Sequence, residues 1–207
     1  MLSLLALDIE TAPNWALIEA HPAAFKKFCE RRRIEDPSMA ALHPQWGKIT
    51  CVGVGRSLAD IDAKAGASET EILSYAATYL DSSNCVLVGH NIFGFDLGYL
   101  SFRYLANSHA LPKALRTYGR KPWEVIHIDT QKELQFLGTP SRCSLADACT
   151  AFGLPSPKAN MDGAAAATTT DYVALAEYCR GDVAAVINLY SRLRQCGYLP
   201  PLNGGHQ

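Results

Sequence analysis

Three acidic segments spread along the chain constrain its fold more than any other feature. Asp8 and Glu10 end the first apolar run, Asp96 follows a later one, and Asp182 lies in a helical pattern near the C-terminus. In α/β proteins the loops that follow buried strands meet at one edge of the sheet, so we expect these acids to converge on one pocket. Carboxylates that share a pocket repel one another, and hard divalent cations are their usual partners.

The spacing of the acids fits this convergence. Residues two apart on a strand point to the same side, which places Asp8 beside Glu10. Residues four apart on a helix share a face, which places Tyr178 beside Asp182. The pattern Asn-x-x-x-Phe-Asp that ends at Asp96 is expected about 0.01 times by chance, and the other two patterns about 0.5 times each. Their joint occurrence in this order is therefore informative.

The remaining pattern predicts an α/β fold with a central mixed sheet flanked by helices. The expected strands are 2–9, 48–55, 86–90 and 125–129, with a weaker strand at 56–63; the expected helices are 25–33, 68–80, 95–109, 144–153 and 171–193. Residues 14–45 form an excursion of unassigned role, and 155–170 are expected to be a loop. One domain is expected over residues 1–207, with residues 200–207 as a flexible tail.

Composition narrows the class of protein. Hydrophobic residues make up 48% and charged residues 19%, and the formal net charge is -1, so nucleic acid would have to be bound by a local patch. The seven cysteines contain no C-x-x-C pair, which favours free thiols in a reducing compartment. The N-terminus lacks the basic and long apolar regions of a signal peptide, and no apolar run reaches membrane-spanning length. We therefore expect a cytoplasmic protein that does not contact membranes.

The acid set predicts metal-assisted cleavage of a phosphodiester. Two divalent cations roughly 3.5–4 Å apart can clamp the attacking and leaving oxygens. Asp8 is the expected bridge, Glu10 and Asp182 complete the shell of one cation, and Asp96 helps to hold the second. Tyr178 would orient the nucleophilic water, since a hydroxyl with a pKa near ~10 is a poor base at neutral pH.

Each of these residues also has an ordinary structural interpretation. Asp8, Glu10 and Asp182 could be solvated acids, Asp96 could be a helix N-cap, and Tyr178 could be a core aromatic residue with a satisfied hydroxyl.

The motifs resemble those of the DEDD superfamily of 3′-to-5′ exonucleases, which has a ribonuclease-H-like fold. Tyr178 is typical of the DEDDy branch, because the histidine branch carries His where this chain has Glu177. The chain is most similar to predicted exonucleases related to the proofreading domain of family B DNA polymerases. The segments that carry this resemblance are GHNIFGFDLGYLSFR, SLADACTAFGLPSPKANMDG and YCRGDVAAVINLYSRL.

The resemblance implies that Asp8, Glu10, Asp96 and Asp182 bind two Mg²⁺ or Mn²⁺ ions, with Tyr178 beside the water. It also places Thr11 and Asn91 near the terminal nucleotide. Gly98 stands where relatives often carry proline, which should alter only local stiffness.

Substrate contacts are expected from five residues near the motifs, namely Thr11, Asn91, Phe93, Phe95 and Lys158. The phenylalanines could stack on bases, although at least one could belong to the core. Asn91 could hydrogen-bond sugar or phosphate, or it could form a turn. Thr11 could simply be the residue at which the chain leaves the strand.

Other polar residues are interpreted as structural or solvated and not as part of the site. The basic stretch 26–33 could track a phosphate backbone, but a solvated helix face paired with Glu30, Glu35 and Asp36 is favoured. Asp129, His90 and His127 are interpreted as structural.

The favoured function is a metal-dependent 3′-to-5′ exonuclease that releases nucleoside 5′-monophosphates from single-stranded DNA. RNA is the alternative substrate. A non-catalytic strand-binding module and a metal-dependent nucleotidase are the alternatives from other classes. The sequence does not identify replication or repair partners.

Overall fold

A computed structural model of the chain describes residues 2–82, 84–121, 124–140, 142–157 and 161–199. Lys158 and the expected tail 200–207 lie outside these residues.

The described strands form one mixed five-stranded sheet in the order β3-β2-β1-β4-β5. Their bounds are β1 Ser3–Pro13, β2 Gly47–Ser57, β3 Asp60–Ala65, β4 Cys85–Gly89 and β5 Ile128–Asp129. The helices are α1 Trp15–Ala20, α2 Pro22–Arg32, α3 Glu69–Leu80, α4 Asp96–Ala106, α5 Thr130–Phe136, α6 Leu145–Ala151, α7 Gly163–Ala166 and α8 Tyr172–Gln195, and short 3-10 turns lie at Pro37–Leu42 and Lys113–Leu115. The predicted α/β architecture is confirmed.

Alternation along β1 separates the two faces of the sheet. Leu5, Leu7 and Ile9 point into a core shared with α3 and α4. Ala6 packs on the opposite face against α8, and Asp8 and Glu10 follow it there at a period of two. The acids are thus fixed on the α8 face by the burial of their apolar neighbours on the other face.

The bounds of several strands differ from the prediction. The turn between β2 and β3 at residues 58–59 lies inside the expected strand 56–63, so β3 covers only Asp60–Ala65. β1 continues to Pro13 because its antiparallel pairing with β2 extends to Gly47. β5 spans two residues instead of 125–129, because the His127 ring and not a strand backbone accepts the Leu87 N–H, at 3.1 Å.

The helices also differ from the prediction, which did not include α1. The expected loop 155–170 contains α7, whose N-cap Asp162 accepts the Ala165 N–H at 2.9 Å. Helix α5 was not predicted, and it begins where the Asp129 carboxylate accepts the N–H groups of Gln131 and Lys132.

The excursion 14–45 is an ordered unit anchored beside the site. Phe25 and Trp46 pack with ring centroids 5.2 Å apart, in a small core of its own. The Tyr99 hydroxyl donates to the Ala41 carbonyl at 2.9 Å. Arg103 donates to the Pro44 carbonyl at 3.0 Å.

The same arginine forms a buried ion pair that joins several elements. Its Nε and Nη2 donate to the two Glu69 carboxylate oxygens, at 2.9 and 2.6 Å. The Glu69 carboxylate also accepts the Ile49 backbone N–H and the Asn107 side-chain amide. Because both charged groups are paired and fully hydrogen-bonded, this bidentate pair fixes α3 and α4 against β2.

Helix α8 lies directly on the sheet because β2 carries glycine beneath it. A Cβ at Gly53 would stand 2.7 Å from Cys179 Sγ and 2.9 Å from Val183 Cγ2. Gly53 pairs with Asp8 across the sheet. The close approach therefore sets the distance between α8 and the acids of β1.

Gly53→Ala should destabilise the protein by about 1–3 kcal/mol, because the added methyl group forces α8 away from the sheet. Urea denaturation measures this change. Gly98→Ala is the matched control: its Cβ meets nothing within 4 Å on α4, so the free energy of unfolding should stay level or rise. Equal stability of Gly53→Ala and wild type would contradict the close-approach account.

Candidate active site

The first wall of the site is the C-terminal part of β1. Asp8 and Glu10 pair with Gly53 and Cys51 of β2. The register shifts between Glu10 and Thr11, so β2 carries one extra residue there. A bulge of this kind changes the direction of nearby side chains and is common beside active sites. Asp8 is half-buried, whereas Glu10 is 9% exposed.

The second wall is the start of α4. Asp96 is the first residue of this helix and is 5% exposed. The parallel pairing of β1 with β4 ends at Ala6, and beyond it the Ile9 backbone N–H donates to the Asp96 carboxylate. Phe95 occupies the N-cap position, so the interpretation of Asp96 as a plain N-cap is wrong.

Asp129 holds the loop that delivers Asp96. Its carboxylate accepts the backbone N–H of Asn91 at 2.9 Å and of Phe93 at 3.1 Å, in addition to its bonds to α5. Asn91 has a φ of 65°, and its carbonyl accepts the N–H groups of the turn that follows. The interpretation of Asp129 as structural is confirmed.

The third wall is α8, which places Tyr178, Cys179 and Asp182 over β1. The Tyr178 hydroxyl hydrogen-bonds the Asp182 carboxylate, and Asp182 is 8% exposed. The Cys179 thiol donates to Asp8 Oδ2 at 3.5 Å and to the Asp8 carbonyl at 3.6 Å.

The acids share one electrostatic environment. Desolvation raises the pKa of Asp8 well above its usual range, and the charges of Glu10, Asp182 and Asp96 raise it further. Desolvation is also the main cause that raises the pKa of Asp96 to about 8. The structure thus brings together the four acids expected from the sequence.

Tyr178 responds to the same charges. Desolvation raises the pKa of its hydroxyl, and Asp182, Glu10 and Asp8 add to the shift. The hydroxyl therefore stays protonated at neutral pH.

Sequence reasoning did not place Cys179 in the site. One ligand atom each of Asp8, Glu10 and Cys179 lies within 4.8 Å of the others. A hydrogen bond with Cys51, followed by burial, raises the pKa of this thiol, so it acts as a neutral donor to Asp8. The sequence feature that could have placed Cys179 in the site is its position next to Tyr178 in the third acidic segment.

The donor set suits hard divalent cations. Oxygen ligands from several carboxylates are what Mg²⁺ and Mn²⁺ prefer. Without a cation, burial and mutual repulsion leave Asp8 and Asp96 with raised pKa values, so the cluster lacks compensating positive charge. Bound cations would supply that charge.

The expected substrate residues take different environments. The Thr11 hydroxyl interacts with Tyr99, and Phe95 packs on the Tyr99 ring with centroids 5.2 Å apart. Phe93 is half-buried, and the Lys132 ammonium stands 5.2 Å from the centre of its ring.

The basic stretch 26–33 is solvated on α2, but its expected pairing is wrong. Lys26, Lys27 and Arg31 are exposed. Across the fully described segment 22–36, none of the cations forms a salt bridge with Glu30, Glu35 or Asp36.

The two histidines beside the sheet are structural, as predicted. His90 Nε2 donates to the Cys143 carbonyl at 2.8 Å, and His127 Nε2 donates to the Ala114 carbonyl at 2.8 Å. All seven cysteines are free thiols.

A protein-family model matches residues 49–197, which carry the second and third acidic motifs. This family is described as predicted 3′-5′ exonucleases related to the exonuclease domain of PolB. The chain belongs to this family. The protein is accordingly a 3′-to-5′ exonuclease, as the sequence predicted.

Solved structures share the fold. The family B DNA polymerase from Pyrobaculum calidifontis superposes with a TM-score of 0.64 at 18% identity. That similarity covers 94% of this chain but 25% of the polymerase. The chain thus spans about a quarter of the polymerase that it matches.

A smaller nuclease is similar over more of its length. Brucella melitensis NrnC bound to pGG gives a TM-score of 0.52 at 17% identity, covering 96% of this chain and 76% of NrnC. The same protein with bound Mg²⁺ gives a TM-score of 0.51 at 17% identity, covering 96% of this chain and 77% of NrnC. These similarities confirm the ribonuclease-H-like fold.

A comparison with curated proteins gave no match. Among the described residues, no helix combines the length and apolar character needed to cross a membrane.

The raised pKa of Asp96 predicts how the stability of the metal-free protein depends on pH. The folded state retains a proton that the unfolded chain releases near pH ~4, so stability should fall as pH rises from about 4 towards 8. Asp96→Asn removes this group, and the fall should become shallower.

Thermal unfolding in EDTA across this pH window measures the effect. Added Mn²⁺ should raise the Tm of wild type most at the alkaline end, because it binds deprotonated carboxylates of the folded state. An identical pH dependence in wild type and Asp96→Asn would show that Asp96 does not carry the shift.

Proposed function

We propose that the protein removes nucleotides from the 3′ end of single-stranded DNA, releasing nucleoside 5′-monophosphates with the help of two divalent cations. The observation that carries this proposal is the convergence of Asp8, Glu10, Asp96 and Asp182 between β1, α4 and α8. Family membership supports the direction of attack, and the similar NrnC structure with bound Mg²⁺ supports the class of cofactor.

The four acids would hold two Mg²⁺ or Mn²⁺ ions, with Asp8 between them. When bound, such ions lower the pKa of a coordinated water and neutralise charge on the phosphodiester. Asp8 is suited to a shared position, because its carboxylate interacts with each of the other three acids. Cys179 would hold Asp8 in place through its thiol.

Tyr178 would orient the attacking water. Its hydroxyl donates to Asp182, and its raised pKa keeps it protonated, so it acts as a neutral hydrogen-bonding group and not as a base. A positioned group of this kind contributes by holding the reacting oxygen in line with phosphorus. Proton removal from the water would then fall to the carboxylates and solvent.

The fold supplies supports that keep this arrangement rigid. Asp129 fixes the loop before Asp96, and the Tyr99 hydroxyl links Thr11 to the excursion. We propose that Thr11, Asn91 and Phe95, which lie beside these supports, contact the terminal nucleotide. Lys158 stays a predicted phosphate contact.

The proposed reaction is tested with 5′-labelled single strands of DNA and RNA of the same sequence. With Mg²⁺ or Mn²⁺ we expect a ladder that shortens from the 3′ end of DNA, and no products in EDTA. Faster degradation of RNA would favour the alternative substrate. Cleavage from the 5′ end, or cleavage that EDTA does not affect, would contradict the proposal.

Variants test the assigned roles. Asp8→Asn and Asp182→Asn should abolish turnover with the fold retained, because each removes a ligand charge. Tyr178→Phe should lower kcat by about 10²-fold but leave measurable activity, since only positioning is lost.

Matched controls lie on the same helix. Glu177→Gln changes an exposed acid that pairs with Arg180, and Tyr172→Phe changes a tyrosine at the start of α8. Both should match wild type. Wild-type activity in Tyr178→Phe would refute the role of its hydroxyl.

A further inference from the structure

An open groove of about 780 Å³ lies beside the site and is not used by the proposed chemistry. Its walls are the first turns of α4, helix α5 and the segment 115–120. The lining side chains that matter here are Phe93, Leu97, Ser101, Arg120, Lys132 and Phe136. The volume is within the range of about 300–1,000 Å³ typical of ligand-binding pockets.

The groove is continuous with the wall that carries Asp96. Phe93 belongs to the loop that delivers this acid, and Leu97 follows it on α4. The Asp129 carboxylate accepts the backbone N–H of both Phe93 and Lys132, so the two sides of the groove are fixed to each other. A strand whose 3′ end lies at the acids could therefore enter the groove directly.

The lining combines aromatic surface with positive charge. Phe136 is 83% exposed, so its aromatic ring is accessible to a ligand at this place. Arg120 and Lys132 are exposed, and neither forms a salt bridge within the part of the chain that the structure describes. Among the described residues of the lining, Glu133 is the one acidic group, so the cations outnumber it.

This chemistry fits one occupant. Single-stranded nucleic acid combines bases, which stack on aromatic rings of any sequence, with a phosphate backbone, which pairs with lysine and arginine. A purely apolar partner would leave Arg120 and Lys132 without counter-charges, and a free phosphate would leave Phe136 uncovered.

We infer that the groove holds the nucleotides immediately 5′ of the scissile one, with bases on Phe93 and Phe136 and phosphates at Lys132 and Arg120. The inference rests on the proposed exonuclease function and names how that site binds the rest of the strand. The groove would then set the affinity for strands longer than the cleaved nucleotide.

Two substrates that differ only upstream of the cleaved bond provide the kinetic test. The p-nitrophenyl ester of thymidine 5′-monophosphate offers the scissile group alone, whereas an oligodeoxythymidylate also fills the groove. Phe136→Ala and Lys132→Gln should raise KM for the oligonucleotide by about 10-fold and leave hydrolysis of the ester unchanged. Phe136→Trp and Lys132→Arg should restore the oligonucleotide KM.

Leu137→Ala is the matched control. Leu137 is an exposed apolar neighbour of Phe136, with 51% of its surface accessible, and it does not line the groove. Its KM should equal that of wild type. Equal losses on the ester and the oligonucleotide in Phe136→Ala, or no change in either, would overturn the inference.

A binding measurement separates the groove from the reaction. Fluorescence anisotropy of a labelled single strand in EDTA should show about 10-fold weaker binding to Phe136→Ala, with an unchanged dependence on salt. Lys132→Gln should reduce the slope of log affinity against log salt by about 0.7, the value for one phosphate contact of a single strand. Unchanged affinity in both variants would overturn the proposed role of the groove, even if the enzyme is active. Normal binding of the strand without cleavage would instead count against the proposed function.

Discussion

Repulsion among four carboxylates is the physical constraint on which the rest of the structure depends. Three separate elements bring these groups to one partly desolvated face, where desolvation and, after it, neighbouring negative charges raise the pKa of Asp8 and Asp96. Such an arrangement is unfavourable on its own and is stable only with protons or cations. Donors such as the Ile9 N–H, the Cys179 thiol and the Tyr178 hydroxyl each bond one carboxylate and add no net positive charge. The fold therefore builds a site that gains stability when metal binds.

Two supports outside the acid set hold the acids in place. Gly53 allows α8 to lie on the sheet, and Asp129 fixes the loop before α4 through backbone N–H groups. The charged pair of Glu69 and Arg103 lies on the opposite side of the sheet, among α3 and α4, where each partner satisfies the other. The Arg103 guanidinium is thereby paired away from the site, so that the acids of β1 remain available as ligands.

Much of this arrangement follows from local sequence. The period-two alternation around Asp8 and Glu10 predicts their common face, and the i,i+4 spacing predicts that Tyr178 meets Asp182. Other features depend on contacts between distant residues. β5 is short because a ring of His127 replaces a strand backbone, and α5 begins because Asp129 caps it. Cys179 reaches Asp8 because α8 lies close over Gly53, which is a contact between residues far apart in the chain.

The central claim is that the acids gather two cations, and a crystal structure determined with Mn²⁺ tests it most directly. Diffraction data collected at the manganese absorption edge should show two anomalous peaks, with Asp8 between them and Glu10, Asp96 and Asp182 as further ligands. A map without manganese at this place, with the four carboxylates turned away from one another, would contradict the account.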